Sequence, residues 1–165
     1  TGSSGSIFTS VGPNNNMAIV NNRFVGHPAA AIWMNRGGLD ITIDKNYIDG
    51  SNIAGGGQAI FMNGPQNYNG LFLTNNNIVN HPGRSGVFVD GNNNVSESAT
   101  RDPQISGNLM DGNSVGMNLG TRSFGKLGVP TTGTFAGEIS NNTFSNNVAD
   151  GVQGGMQHVL VSGNT

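Results

Sequence analysis

The sequence contains no cysteine and few charged residues. Only 10% of its 165 residues are Asp, Glu, Lys or Arg, against roughly 25% in an average domain. The lack of cysteine excludes disulfides, thiolate metal sites and a cysteine nucleophile. A net charge of −2 offers no basic surface for nucleic acid, and no apolar run approaches the roughly 20 residues that a membrane helix needs. We therefore expect neither a nucleic-acid partner nor membrane insertion.

Glycine and asparagine are abundant instead. The chain has 27 glycines and 26 asparagines, and both residue types weaken ordinary helices and strands, so we expect no long helix. Residues 1–5 have neither a basic nor an apolar region, which indicates a linker or an excised boundary rather than a targeting segment. We expect residues 6–165 to form one domain that is part of a longer chain.

Six segments share one pattern, in which an aliphatic residue is followed by asparagine three positions later and by an apolar residue two positions after that, the last copy being truncated at Thr165. The spacings between successive asparagines are 24, 30, 32, 34 and 22 residues, an irregular period that suits a solenoid with variable loops. The shared asparagines are Asn22, Asn46, Asn76, Asn108, Asn142 and Asn164.

A second pattern lies before each of these segments. A small residue is followed by apolar, any and apolar residues, which is the alternation of a short strand with one buried face. Several short strands in each repeat predict a β-helix. The copies are 6–9, 31–34, 59–62, 86–89, 116–119 and, in decayed form, 151–154.

Together the two patterns resemble the right-handed parallel β-helix repeat of many secreted, polysaccharide-associated proteins, the pectate-lyase-like and sugar-hydrolysis type repeats. The resemblance runs from about Ser6 to Thr165 and implies an all-β, single-stranded parallel β-helix of about six coils. It also implies that the six asparagines lie in a turn between the second and third strands and stack into an internal ladder. We assign them to structure, and we expect asparagine to adopt the left-handed backbone conformation of this bend.

The alternation predicts which side chains face outwards on the first sheet. Ile32 and Met34 are expected to point inwards, because a slip of one residue would bury Asn118 and Gln153. The outward line then consists of Phe8, Trp33, Phe61, Phe88, Asn118 and Gln153.

The resemblance implies that sugars bind along this first sheet. Trp33, Phe61 and Phe88 would stack on sugar rings, while Asn35, Asn63, Asn118 and Asp90 would hydrogen-bond to hydroxyl groups. The loops 92–103 and 121–137 would wall the site, and an acidic polysaccharide could pair with cations there. These cations are Arg84, Arg101, Arg122 and Lys126. The alternatives are solvated loop charges and an aromatic stripe that packs beneath a loop or a neighbouring subunit.

An enzyme needs acid–base groups in addition to a groove. Asp90, Arg84 and His81 form the best available constellation, although Asp90-Gly91 also fits a simple turn. His27 and His81 occupy equivalent turns two coils apart, and a backbone spacing of about 10 Å is too long for one shared metal. No cofactor is predicted, and calcium remains open through scattered Asp and Asn side chains without a motif.

The sequence thus leaves three functional classes open. The first is a non-catalytic extracellular or cell-surface module, of bacterial or phage type, that binds polysaccharide or a surface glycan or adheres through its first-sheet face. The second is a fragment of a polysaccharide lyase, epimerase or hydrolase. The third is a fibre or spike segment, since open coil ends present unpaired strand edges that favour self-association or stacking.

Overall fold

The computed structural model describes residues 7–9, 14–27, 29–51, 57–63, 68–89, 100–101, 103–119, 124–125, 137–157 and 159–165. These residues form twenty strands, numbered β1 to β20 in chain order, and no helix. Within the same residues there is accordingly no helix that could cross a membrane.

The strands build three parallel sheets. The first contains β1 (Ile7–Thr9), β4 (Ala30–Met34), β7 (Gln58–Met62), β10 (Ser85–Val89), β14 (Val115–Asn118) and β18 (Val152–Gln153). The third contains β3 (Arg23–Val25), β6 (Tyr47–Asp49), β9 (Asn77–Val79), β13 (Leu109–Asp111) and β17 (Thr143–Ser145).

The second sheet is longer because some coils contribute two strands to it. Its members are β2 (Ala18–Val20), β5 (Gly38–Asp44), β8 (Tyr68–Thr74), β11 (Thr100–Arg101), β12 (Gln104–Ser106), β15 (Phe124–Gly125), β16 (Glu138–Ser140), β19 (Met156–Gln157) and β20 (Leu160–Ser162). Every strand pairs with its equivalent one coil away. The chain is therefore a right-handed parallel β-helix of about six coils, and we number each coil by its ladder asparagine, from coil 1 (Asn22) to coil 6 (Asn164).

The core is a set of aliphatic stacks that run along the solenoid axis. Ile43, Leu73, Ile105 and Ile139 pair in register on the second sheet and are fully buried. On the first sheet, Ile32 and Met34 are buried as predicted, with Ile60 and Met62 beside them. Each such side chain contributes about 1.5–3 kcal/mol by leaving water. The predicted strand register is confirmed.

The asparagine ladder is also confirmed. In its middle, Asn46 donates from its backbone N–H and from Nδ2 to Oδ1 of Asn76, over 2.9 and 3.0 Å, and Nδ2 also donates to the Ile19 carbonyl over 2.8 Å. The same pattern recurs from Asn22 to Asn164. Each amide thus pairs backbone groups that the bend would otherwise leave unpaired.

The prediction that the ladder asparagines themselves take the left-handed conformation is wrong. The residue before each of them has a positive φ, between 53° and 66°, and so makes the bend. The ladder side chain that follows is thereby turned into the solenoid. The residues with positive φ at this corner are Asn21, Lys45, Asn75, Gly107, Asn141 and Gly163.

Candidate functional site

The outer face of the first sheet carries an uncharged aromatic strip. Trp33, Phe61 and Phe88 are partners in register on β4, β7 and β10, and Asn118 follows Phe88 on β14. Each is half-buried between fully buried neighbours, because alternate residues of a strand face opposite sides. We call Trp33, Phe61 and Phe88 the aromatic strip. The register that predicted this line is confirmed, and the pairing of the backbone in this register continues to Phe8 at one end and to Gln153 at the other.

The rings of the aromatic strip lean on one another. The ring centroids of Trp33 and Phe61 are 5.5 Å apart with planes inclined by 58°, and those of Phe61 and Phe88 are 5.2 Å apart at 42°. Tilted rings at these distances attract each other and hold the strip rigid. The rings are therefore inclined to one another, with about one ring for each coil, and do not form a flat surface.

Amide groups border the strip. The indole Nε1–H of Trp33 donates to Oδ1 of Asn63 over 3.1 Å, which fixes the indole across the coil boundary. The backbone N–H groups of Asn35 and Asn63 donate to the preceding coil, so both residues have fixed positions at the strand ends. Strands β4, β7, β10 and β14 contain no charged residue. The face therefore suits a neutral ligand that has both apolar and hydrogen-bonding surface.

The predicted cations and acids are not brought together in the described part of the chain. Arg84 is exposed at the turn before β10, and Arg101 belongs to β11 of the second sheet. Asp90, Arg122 and Lys126 lie outside the described residues, as do most of the two predicted loop walls. The acidic-polysaccharide site and the catalytic constellation thus stay predictions.

His81 lies inside the solenoid and not on the first-sheet face. Its ring is completely buried, with Nδ1 2.8 Å from the carbonyl oxygen of Gly57. The ring centroid of His27, which is only 2% exposed, lies 5.1 Å away. The predicted separation of about 10 Å is wrong for the two rings, whereas the prediction that they share no metal stays a prediction. Coil 2 has Gly50 next to this pair, where a Cβ atom would lie 2.7 Å from His81 Nδ1, so the His81 ring occupies the space that a side chain at position 50 would fill.

Burial controls the protonation of both histidines. Loss of water, helped by the nearby His81 and opposed by Asp49, lowers the pKa of His27 from 6.5 to about 4. Burial also lowers the pKa of His81, and the carbonyl of Gly57, the Asp49 carboxylate and the carbonyl of Ile48 only partly offset this effect. Both imidazoles are therefore neutral at pH 7.

A second, shorter asparagine ladder occupies the same corner in later coils. The backbone N–H of His81 donates to Oδ1 of Asn113, and that of Asn113 donates to Oδ1 of Asn147. His27, His81, Asn113 and Asn147 each stand five residues after a ladder asparagine, and each follows a residue with positive φ. The equivalent turns of the two histidines were predicted from the sequence. The same offset of Asn113 and Asn147 was not predicted, because only two asparagines share it.

Two carboxylates at the ends of sheet strands serve the fold. Asp111 accepts hydrogen bonds from Ser145 Oγ and Asn146 Nδ2, which lower the pKa of its carboxyl. Asp44 accepts in the same way from Thr74 and Asn75 one coil away, and its pKa is lowered as well. Across the described ranges, no three histidine or acidic side chains come close enough together to hold a metal ion. Calcium binding gains no support from these carboxylates and stays untested.

Comparison of the chain with protein-family models, with curated proteins and with solved structures found no match. The functional argument therefore depends on the geometry of the first-sheet face and of the histidine corner.

Proposed function

We propose that this β-helix is a non-catalytic extracellular or cell-surface module that binds polysaccharide, or adheres to a glycan surface, along its first sheet. The observation that carries the proposal is the aromatic strip, in which three coils in succession present a half-buried ring on one face. Aromatic residues with a fixed orientation lose little conformational freedom when a ligand binds. This makes them effective contacts for the apolar faces of sugar rings.

The chemistry of the face favours a neutral glycan. No charged residue lies on β4, β7, β10 or β14, and the amides of Asn35, Asn63 and Asn118 both donate and accept hydrogen bonds. Successive ring centroids are 5.5 and 5.2 Å apart, which is comparable with the length of one sugar unit in an extended chain. We infer that such a chain lies parallel to the solenoid axis, with about one sugar on each coil.

The absence of charge on these strands also argues against catalysis there. Hydrolysis of a glycosidic bond needs two carboxyl groups that flank it, and uronic-acid chemistry needs a base and a cation at the reacting carbon. None of the described side chains on the aromatic strip provides either group.

Tryptophan fluorescence provides a direct test, because Trp33 is the only tryptophan of the chain. Neutral polysaccharides identified on a glycan array should change the emission of Trp33 in a saturable way. The double variant Trp33→Ala, Phe61→Ala should lose retention on the same glycans while its β-sheet circular dichroism stays unchanged.

Phe72 offers the matched control for this test. It is an exposed aromatic residue of β8 on the second sheet, so Phe72→Ala removes a surface ring without touching the aromatic strip. Retention should survive this change. Equal loss in both variants, or full retention by the double variant, would refute the proposed glycan surface.

A further inference from the structure

The histidine corner contains an unusual concentration of unpaired polar atoms. Five buried side-chain nitrogen or oxygen atoms of the described residues have no hydrogen-bond partner, and three of them are His27 Nδ1, His27 Nε2 and His81 Nε2. Buried polar groups are nearly always paired in folded proteins, and leaving one unpaired costs about 1–3 kcal/mol. Two adjacent rings with three such atoms therefore require an explanation.

The fold itself has a satisfied alternative at this corner. In coils 4 and 5 the equivalent residues are Asn113 and Asn147, which continue a hydrogen-bonded ladder. Nδ2 of Asn113 also donates to the Ile78 carbonyl over 3.3 Å, and Nδ2 of Asn147 donates to that of Met110 over 3.0 Å. Histidine at positions 27 and 81 gives up these bonds. A structural role alone would be better filled by asparagine.

The geometry of the pair suits a shared ligand. His81 Nδ1 lies 2.8 Å from the carbonyl oxygen of Gly57, and the tautomer that donates a proton to this carbonyl from Nδ1 has a lone pair on Nε2. A backbone carbonyl that orients an imidazole in this way is a common support of metal-binding histidines. Two imidazoles on one tetrahedral ion, at nitrogen–metal distances of about 2.0–2.1 Å, have ring centroids about 5 Å apart. The observed separation is 5.1 Å, with the planes inclined by 30°.

We propose that His27 and His81 bind one late first-row divalent metal ion, such as Zn²⁺ or Ni²⁺, between coils 1 and 3, with water completing its coordination. Imidazole nitrogen is a preferred ligand of these ions, whereas Ca²⁺ and Mg²⁺ prefer oxygen. The nearest carboxylate, Asp49, is already held by Tyr47, Ser51 and Asn80. The ion would connect coils 1 and 3 across Gly50 and stabilise the folded chain, because it binds the unfolded chain less well.

Metal titration of the chelator-treated protein tests this site. Zn²⁺ or Ni²⁺ alone should bind with a stoichiometry of about one in calorimetry and raise the thermal unfolding temperature, whereas Ca²⁺ and Mg²⁺ should not. His27→Asn and His81→Asn each remove one ligand and introduce the residue that the fold uses at this corner in coils 4 and 5. Each variant should weaken metal affinity by at least about tenfold. Loss of a group that only supports a ligand already costs about 10–100-fold, and these variants remove a ligand itself.

The third histidine of the chain, His158, provides the control. His158→Asn should keep both the stoichiometry and the temperature shift. The proposal fails if the unaltered protein shows no Zn²⁺ or Ni²⁺ shift, if His27→Asn and His81→Asn retain it, or if His158→Asn abolishes it.

A measurement on the unaltered protein avoids any dependence on folded variants. The imidazole NMR signals of His27 and His81 should change on addition of Zn²⁺, and those of His158 should not. Unchanged signals for the buried pair would overturn the proposal as well. The outcome is independent of glycan binding, which involves the opposite side of the coil wall.

Discussion

The residue before each ladder asparagine determines the corner of the coil. Five of the six coils have Asn or Gly there, the two residue types that tolerate a positive φ best. Coil 2 has Lys45 instead, with a φ of 54°. Its side chain is 65% exposed and its ammonium lies 3.2 Å from the Asp44 carboxylate. The left-handed backbone conformation of Lys45 therefore lowers the stability of the fold, and the exposed ion pair with Asp44 only partly offsets this loss.

Replacement of this lysine should stabilise the protein. A left-handed residue with an ordinary side chain costs roughly 1–2 kcal/mol, and asparagine avoids part of that cost. We expect Lys45→Asn to raise the free energy of unfolding by about 0.5–1 kcal/mol, measured by urea denaturation. Lys45→Ala is the control, since it loses the same exposed ion pair but lacks the short polar side chain with which asparagine tolerates the left-handed conformation. Equal stability of the two variants would show that the conformation carries no cost.

At the scale of the strands, the sequence predicts what repeats locally. Alternation within four or five residues predicts which side chains of β4, β7 and β10 face the core. The recurrent asparagine predicts the corner and the ladder. Because parallel strands stack in register, these two local signals were sufficient to align Trp33, Phe61 and Phe88 on one face.

The features that the sequence did not predict depend on contacts between coils. The His81 ring approaches that of His27 through the space left by Gly50, where a Cβ atom would lie 2.7 Å from His81 Nδ1, and a single residue type at one position gives no periodic signal. The tilt of the strip rings likewise depends on packing between neighbours. The short ladder of Asn113 and Asn147 has only two members, too few to stand out among 26 asparagines.

The ladder should be strongest at its centre. Asn76→Ala would leave the Asn46 N–H and the Ile43 carbonyl without their partners in a buried site, at about 1–3 kcal/mol for each group. We expect a loss of about 2–4 kcal/mol in the free energy of unfolding. Asn22→Ala, at an exposed end of the ladder, should cost less than about 1 kcal/mol. If chemical denaturation shows the same loss of stability for Asn76→Ala and Asn22→Ala, burial does not determine how much a ladder asparagine stabilises the fold.

At the scale of the whole molecule, few ionisable groups couple stability to pH, because charged residues make up only 10% of the chain. In a solenoid, each coil packs mainly on its neighbours, so a group that bridges coils affects the stability of more than its own repeat. Hydrogen bonds from the next coil lower the pKa values of Asp44 and Asp111. These two carboxylates stabilise the folded chain above the unfolded pKa of 3.8, and this stabilisation is lost as pH falls below that value. The histidine pair acts at higher pH.

Mild acid should therefore destabilise the metal-free protein before its carboxylates titrate. The pKa of His27 falls from 6.5 to about 4 on folding, so the unfolded chain binds the proton more readily than the folded chain. The free energy of unfolding is therefore unaffected by this histidine above pH 6.5, where the ring is neutral in both states, and it decreases as pH falls towards 4. We expect the free energy of unfolding, measured with urea in the presence of EDTA, to fall by about 1–3 kcal/mol across this window. His27→Asn should flatten the profile, because asparagine does not titrate, while the lowered pKa of His81 leaves a smaller slope of the same sign. A profile that is flat in the unaltered protein, or equally steep in His27→Asn, would show that His27 is not the group responsible.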